Sequence, residues 1–135
     1  MSIDYAKLFK ETKTIAIIGA SSDPSRPSYS IMAYLQRAGY RTIPVNPNET
    51  EILGEKAYPS LAAIPLDIDI DLVNVFRRPA HTPEFARAAT NRPGVKTFWM
   101  QSGITNDEAI KIAKTGNLIA IQDECIAVKH RLTAH

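Results

Sequence analysis

Thr14-Ile15-Ala16-Ile17-Ile18-Gly19-Ala20-Ser21-Ser22-Asp23-Pro24-Ser25-Arg26-Pro27-Ser28 is the stretch that decides the fold. It opens with a short, continuous apolar run, rich in β-branched residues and ended by glycine, as expected of a strand buried on both faces. After the loop of Ser, Asp and Pro, residues 28–38 place Ile31, Met32, Leu35 and Ala38 at helical spacing, and Gly39 supplies the stop. A buried strand followed by a helix is the first half of a βαβ unit.

Working outward, Arg41-Thr42-Ile43-Pro44-Val45 reads as a second strand, whose proline suits an edge, a terminus or a bulge. Ser60 caps a short helix stopped by Pro65, and Asp71-Leu72-Val73-Asn74-Val75-Phe76 is a third strand. Thr82-Pro83-Glu84 opens a helix as cap, first-position proline and first-turn acid. Residues 95–100 and 118–121 give the last two strands. Between them, Thr105-Asn106-Asp107-Glu108 matches a capping box, with Lys114 and Gly116 closing the helix it opens, and 126–132 forms a terminal helix. Alternation of this kind implies right-handed crossovers and a Rossmann-like, doubly wound α/β fold. The expectation is a parallel five-stranded sheet in the order 3-2-1-4-5, with helices on both faces and ligands bound beyond the strands' carboxyl ends at the switch point.

Composition bounds the function. In 135 residues, 16 Lys+Arg stand against 14 Asp+Glu, with three His and one Cys. That length predicts one domain over 1–135. The net charge of +2 is too small for a nucleic-acid footprint, a lone cysteine makes no internal disulfide, and no apolar run approaches a membrane span. With no signal-peptide pattern at the start, a cytoplasmic protein is expected. The histidines show no metal-ligand spacing, so no metal is expected. Asp67, Asp69 and Asp71 alternate with apolar residues, which puts three carboxylates on one side of an extended segment; the geometry could attract a divalent cation, but a solvated strand approach is the expected reading.

The chemistry falls in the loops. Gly19, Ala20, Ser21, Ser22, Arg26 and Ser28 join a strand to a helix start, where small residues, hydroxyls, free N–H groups and a cation suit a phosphate; the bland alternative is a tight turn that binds nothing. The second and third glycines of GxGxxG are missing, and no GxxxxGK[ST] occurs. Asn46-Pro47 stands where NAD-binding folds carry an acid, which disfavours NAD and leaves NADP open. Phe76, Arg77, Arg78 and Pro79 offer an adenine-packing face and guanidiniums for phosphate, or simply two solvated arginines. Gln101, Ser102 and Gly103 lead into the next helix, placed to face an amide-bearing arm. Cys125 follows the last strand; it is either a thiol that meets a ligand or a small buried hydrophobe.

Taken in order, 14–21, 23–28, Gly39-Tyr40, Pro44-Val45-Asn46-Pro47, Leu53-Gly54, Tyr58-Pro59-Ser60-Leu61, 71–79, Trp99-Met100-Gln101-Ser102-Gly103 and Cys125 with His130-Arg131-Leu132 resemble the small stand-alone CoA-binding proteins. That family is similar in fold to the CoA-binding domain of the succinyl-CoA synthetase alpha subunit. The resemblance implies coenzyme A in the crevice. Gly19, Ala20, Ser21 and Ser22 would meet the phosphates, Asn46, Pro47, Phe76, Arg77 and Pro79 would surround the adenosine, and Gln101, Ser102 and Gly103 would lie along the pantetheine. Synthetase-type domains have a lysine soon after Asn-Pro, whereas Asn48 and Glu49 follow here, leaving Arg41, Lys56, Arg77 or Arg78 for the 3′-phosphate. The charges that the family tends to show before the cysteine and the histidine are reversed in Glu124 and Lys129, so an ion pair there must exchange signs. The expected function is non-catalytic binding of CoA or acyl-CoA, with thiol capture by Cys125 as an extension. Two other classes stay open: a small NADP-dependent or thiol-exchange enzyme, and a CoA-binding subunit that becomes an acyl-CoA ligase beside a separate ATP-binding chain.

Overall fold

A computed structural model describes residues 2–134. The elements run α1 (Tyr5–Glu11), β1 (Thr14–Ile18), α2 (Pro27–Arg37), β2 (Arg41–Val45), β3 (Glu51–Ile52), β4 (Glu55–Lys56), a 3-10 turn at Leu61–Ala63, β5 (Leu72–Val75), and a second 3-10 turn at Pro79–His81. They continue with α3 (Thr82–Asn91), β6 (Thr97–Met100), α4 (Asp107–Thr115), β7 (Ile119–Ile121) and α5 (Ile126–Thr133). Residues alternate between the two faces of β1. Ala16 and Ile18 join Val73, Val75, Phe98 and Met100 under α3 and α4, while Ile15 and Ile17 join Leu72, Trp99 and Ile121 under α1, α2 and α5. Every residue of β1, β5 and β6 is buried, so these three strands form the middle of a two-faced core.

The Rossmann-like parallel sheet is as expected, but its order is β2-β1-β5-β6-β7. Counting only these five strands, the order is 2-1-3-4-5, not 3-2-1-4-5. The difference is that β5 sits between β1 and β6 rather than outside β2, which leaves β2 at the edge. Pro44 has no N–H for a neighbour on both sides, and it puts β2 at the edge. There the outer side is closed by a short bridge in which Tyr58 N–H donates to the Pro44 carbonyl (3.0 Å) and Asn46 N–H to the Tyr58 carbonyl (2.9 Å). The wholly buried β5 takes the inner place beside β1. The switch point therefore falls between β1 and β5, as in the flavodoxin-like variant of the doubly wound fold.

The crossing from β2 to β5 carries little regular structure, and Arg92 holds it. Arg92 is 7% exposed, and its guanidinium donates to the carbonyls of Leu61 (3.1 Å), Ile64 (2.9 Å), Pro65 (2.8 Å) and Ile68 (3.0 Å). Ser60 caps the short turn as expected, accepting from Ala63 N–H at 3.2 Å. Two other caps shift by one residue. His81, not Thr82, precedes α3, because the Thr82 hydroxyl turns back to donate to the Pro79 carbonyl at 2.7 Å. Asn106, not Thr105, caps α4 by accepting from Ala109 N–H at 2.9 Å. Two elements come in addition to those expected: α1, capped by Asp4, and the β3–β4 hairpin, whose turn residues Leu53 and Gly54 both have positive φ.

Candidate functional site

The loops after β1, β2 and β5 open on one cleft of about 870 Å³ at the carboxyl end of the sheet. Small-molecule sites span about 300–1,000 Å³, so it has room for a cofactor. Its walls include Gly19, Ala20, Ser21, Ser22, Arg26, Ser28, Asn46, Pro47, Phe76, Arg77, Arg78 and Pro79. Asp23, Pro27, Asn48, Glu49 and Ile104 complete it.

Gly19 makes the close approach of two of these loops possible. At φ +82° it turns the chain out of β1, and a Cβ there would overlap the Phe76 carbonyl oxygen and lie 3.0 Å from its carbon. Phe76 N–H in turn donates to the Ile18 carbonyl at 2.8 Å, which continues the β1–β5 ladder into the cleft floor. Asn46 braces the other side: its amide donates to the Ala20 carbonyl (2.8 Å), and its Oδ1 accepts from Asn48 N–H (2.8 Å). The loop itself is folded by short polar bonds. Ser21 Oγ accepts from Asp23 N–H, and Asp23 Oδ1 accepts from both the N–H and the hydroxyl of Ser25 at 2.9 and 2.7 Å. These two bonds, the hydroxyl's first, hold the Asp23 carboxyl below its ordinary range, with a smaller favourable field from Arg26. The helix that follows, α2, begins at Pro27 after Arg26 as its cap position, has no side-chain cap, and meets the cleft with Arg26, Pro27 and Ser28, so its N-terminal field faces the cleft.

Charge in the cleft favours an anion. Arg26, Arg77 and Arg78 stand against Asp23 and Glu49. The Arg77 guanidinium lies 5.5 Å from the centre of the Phe85 ring, which steadies it without neutralising it. Glu49 is a cleft residue that the loop motifs did not single out. Its carboxylate accepts from Ser22 N–H at 2.9 Å and from the Ser22 hydroxyl at 3.0 Å. The signal available for it is its place just after Asn46-Pro47-Asn48, in the stretch where synthetase-type domains carry a lysine.

Four of the proposed site residues lie outside this cleft. Gln101 is 3% exposed and faces inward, donating from Nε2 to Asn74 Oδ1 at 2.7 Å. Ser102 and Gly103 are exposed, with Gly103 N–H bound to Asp123 Oδ1 at 2.7 Å; Ile104 is the residue of that loop that reaches the cleft. Cys125 is half-buried and precedes α5. Of the cations considered for a ribose phosphate, Arg77 and Arg78 line the cleft. Arg41 lies at the opposite, amino end of the sheet, and Lys56 stacks 5.2 Å over Tyr58.

Other polar residues have structural work. Asp71 accepts from the N–H groups of Lys13 and Thr14 and faces Lys96 at 3.9 Å, so it clamps the amino ends of the strands. His130 bonds Tyr34 Oη through Nδ1 at 2.8 Å, within the rings of Phe9, Tyr34 and Tyr40. His81 is exposed on the turn before α3, and His135 lies outside the described residues. The sign-exchanged pair does form, with Lys129 Nζ 3.7 Å from Glu124.

A cleft of this composition at a Rossmann switch point agrees with what the chain is related to. The CoA-binding domain model matches residues 13–131. This chain belongs to the CoA-binding domain family. Among the family's relatives, the uncharacterized protein YneT of Bacillus subtilis is 41% identical over 132 residues, covering 96% of this chain and 94% of that protein. An ADP-forming acetate–CoA ligase of Archaeoglobus fulgidus is 33% identical over 104 residues, and the matched region covers only 15% of the ligase's length. Among solved structures, a hypothetical protein from Pyrococcus horikoshii superposes with a TM-score of 0.91 at 36% identity, covering 96% of this chain and 89% of that one. No helix among the described residues is long and apolar enough to cross a membrane.

Proposed function

We propose that this CoA-binding domain protein holds coenzyme A, free or acylated, in the cleft between β1 and β5, and that binding is its whole activity. The observation that carries the reading is the meeting, in one cleft, of a small-residue loop with an uncapped helix start, an Asn-Pro turn and the Phe76-Arg77-Arg78-Pro79 loop. Each part suits a part of the coenzyme. Ser21, Ser22 and the start of α2 offer N–H and hydroxyl donors to a pyrophosphate. Phe76 and the two prolines offer apolar faces to adenine. Arg77 and Arg78 can answer a ribose phosphomonoester, which carries about −1.5 to −2 charges. Gly19, whose absent side chain lets the loops close, fits the near approach of backbone to ligand. In this reading the pantetheine arm leaves past Ile104 along the ends of β5 and β6, toward the turn that carries Cys125.

Isothermal titration with CoA, dephospho-CoA, NADP and ATP tests it. CoA should bind best and dephospho-CoA more weakly. Equal affinity for all four, or no binding of CoA, would overturn the reading. The likeness to an acetate–CoA ligase favours a second reading, in which the chain serves as the CoA-binding part of a ligase with a separate ATP-binding chain. Acyl-CoA formation from acid, ATP and CoA on addition of such a chain would establish it.

A further inference from the structure

We propose that Glu49 is the affinity-setting residue of this cleft: its carboxylate occupies the Ser22 donors as a resident anion, and a ligand phosphate must displace it. The inference rests on the coenzyme reading for the identity of the natural ligand, but the contact itself is independent of it.

The geometry is that of an oxyanion in a cradle. The two carboxylate oxygens divide between the backbone N–H and the hydroxyl of one residue, at 2.9 and 3.0 Å. Ser22 lies in the strand-to-helix loop, between Gly19 and the start of α2, where the donors and the helix field favour negative charge. A carboxylate and a phosphate compete for such donors on equal geometric terms, because both present two oxygens in a fork.

Glu49 reaches the loop because its own turn is braced. Asn46 ties Ala20 on one side and Asn48 on the other, and Glu49 N–H donates to the Asn46 carbonyl at 3.3 Å. The side chain is half-buried in the cleft wall. Cations are at hand, yet none pairs with it. Among the described residues the ion pairs within 4 Å are Lys7–Glu11, Lys96–Asp71 and Lys129–Glu124, all outside the cleft. The carboxylate therefore satisfies neutral donors while Arg26, Arg77 and Arg78 keep their charge for another partner.

Two consequences follow for any anionic ligand that uses Ser22. It must break two hydrogen bonds before making its own, and it then shares the cleft with the displaced negative charge. Both terms weaken binding. A ligand therefore holds the cleft only if the rest of its structure contributes enough affinity. This selects against inorganic phosphates and in favour of a long, many-contact phosphorylated molecule.

The test compares the wild type with Glu49→Gln, Glu49→Ala and a control that removes a carboxylate at the far end of the sheet, Glu11→Gln. Each is titrated with inorganic pyrophosphate and with CoA, and the exchange rate of the Ser22 amide is measured without ligand. Both Glu49 variants should bind pyrophosphate about tenfold more tightly than the wild type, a change of about 1.4 kcal/mol, and Glu11→Gln should not. Ser22 amide exchange should be faster in Glu49→Ala than in the wild type, and should slow again when pyrophosphate is added. Pyrophosphate binding by the Glu49 variants that is equal to or weaker than wild type would overturn the proposal. If pyrophosphate tightens as expected while CoA binds to no form of the protein, the resident-anion role stands and the coenzyme reading fails.

Discussion

Adding a single methyl group at Gly19 tests whether the cleft depends on contact between two backbones. Gly19 and Gly103 share φ +82°, so alanine costs the same conformational strain at either position, roughly 1–2 kcal/mol. They differ in surroundings. At Gly103 a Cβ meets nothing within 4 Å, whereas at Gly19 it overlaps the Phe76 carbonyl oxygen and crowds Arg77 Cδ at 3.1 Å. Relief requires β1 and β5 to part where Phe76 N–H bonds the Ile18 carbonyl at 2.8 Å. Overpacking of this kind costs about 1–3 kcal/mol, and a weakened hydrogen bond adds about 0.5–1.5. Gly19→Ala should therefore destabilise by about 2.5–6.5 kcal/mol and Gly103→Ala by about 1–2, a difference of about 1.5–4.5. At about 3–5 °C per kcal/mol for a chain of this size, the two melting temperatures should separate by about 5–22 °C. Urea unfolding followed through Trp99, wholly buried with Nε1 bonded to the Glu124 carbonyl, gives the free energies. If the two variants agree within about 0.5 kcal/mol, the methyl-overlap explanation is wrong and the cleft floor is more yielding than its geometry indicates.

Arg92→Met strands four backbone carbonyls and should cost about 3–4 kcal/mol in urea unfolding, with amide exchange rising first in residues 61–68; Arg92→Lys should restore less than half, since an ammonium cannot span four acceptors. In titrations, Arg77→Ala and Arg78→Ala should each narrow the difference between CoA and dephospho-CoA, and an unchanged difference would remove them from the phosphomonoester site. Intact-mass analysis after incubation with oxidised CoA should show one adduct that Cys125→Ser abolishes, formed as the Cys125 thiolate attacks the disulfide and releases one CoA thiolate; an unmodified wild type would mean that the half-buried thiol only packs. Because the Asp23 carboxyl titrates below its ordinary range, the order it gives the loop should be complete at and above the unfolded carboxylate's pKa and be lost as pH falls through the lower folded value. Carboxyl NMR should find that midpoint moved upward in Ser25→Ala.

The strands were legible because burial on two faces writes itself as short apolar runs, and the helices because their ends carry Ser60, Pro83 and Gly116. Strand order is a different kind of property. It depends on which runs tolerate a neighbour on both sides; Pro44 marks β2 as a strand for the edge, but nothing local says which strand takes the inner place beside β1. Gln101 shows the converse limit. A polar residue at the end of a strand looks like a ligand contact from composition, yet this one turns inward to Asn74. Arg92 and Glu49 belong to no periodic pattern. Their roles arise from partners 24–31 and 27 residues away, distances along the chain at which local reading carries no information.

The Asn74–Gln101 bond has a consequence for which changes this protein can accept. Asn74 Nδ2 and Gln101 Oε1 are buried without partners, and turning both amides over merely exchanges which residue keeps the spare donor and which the spare acceptor. Losing one member alone strands the other in an apolar interior, while exchanging both for hydrocarbon of similar shape removes the whole debt. A polar sheet centre can therefore become an oily one at this point at little cost in stability by a paired replacement, whereas either single replacement is the less stable step.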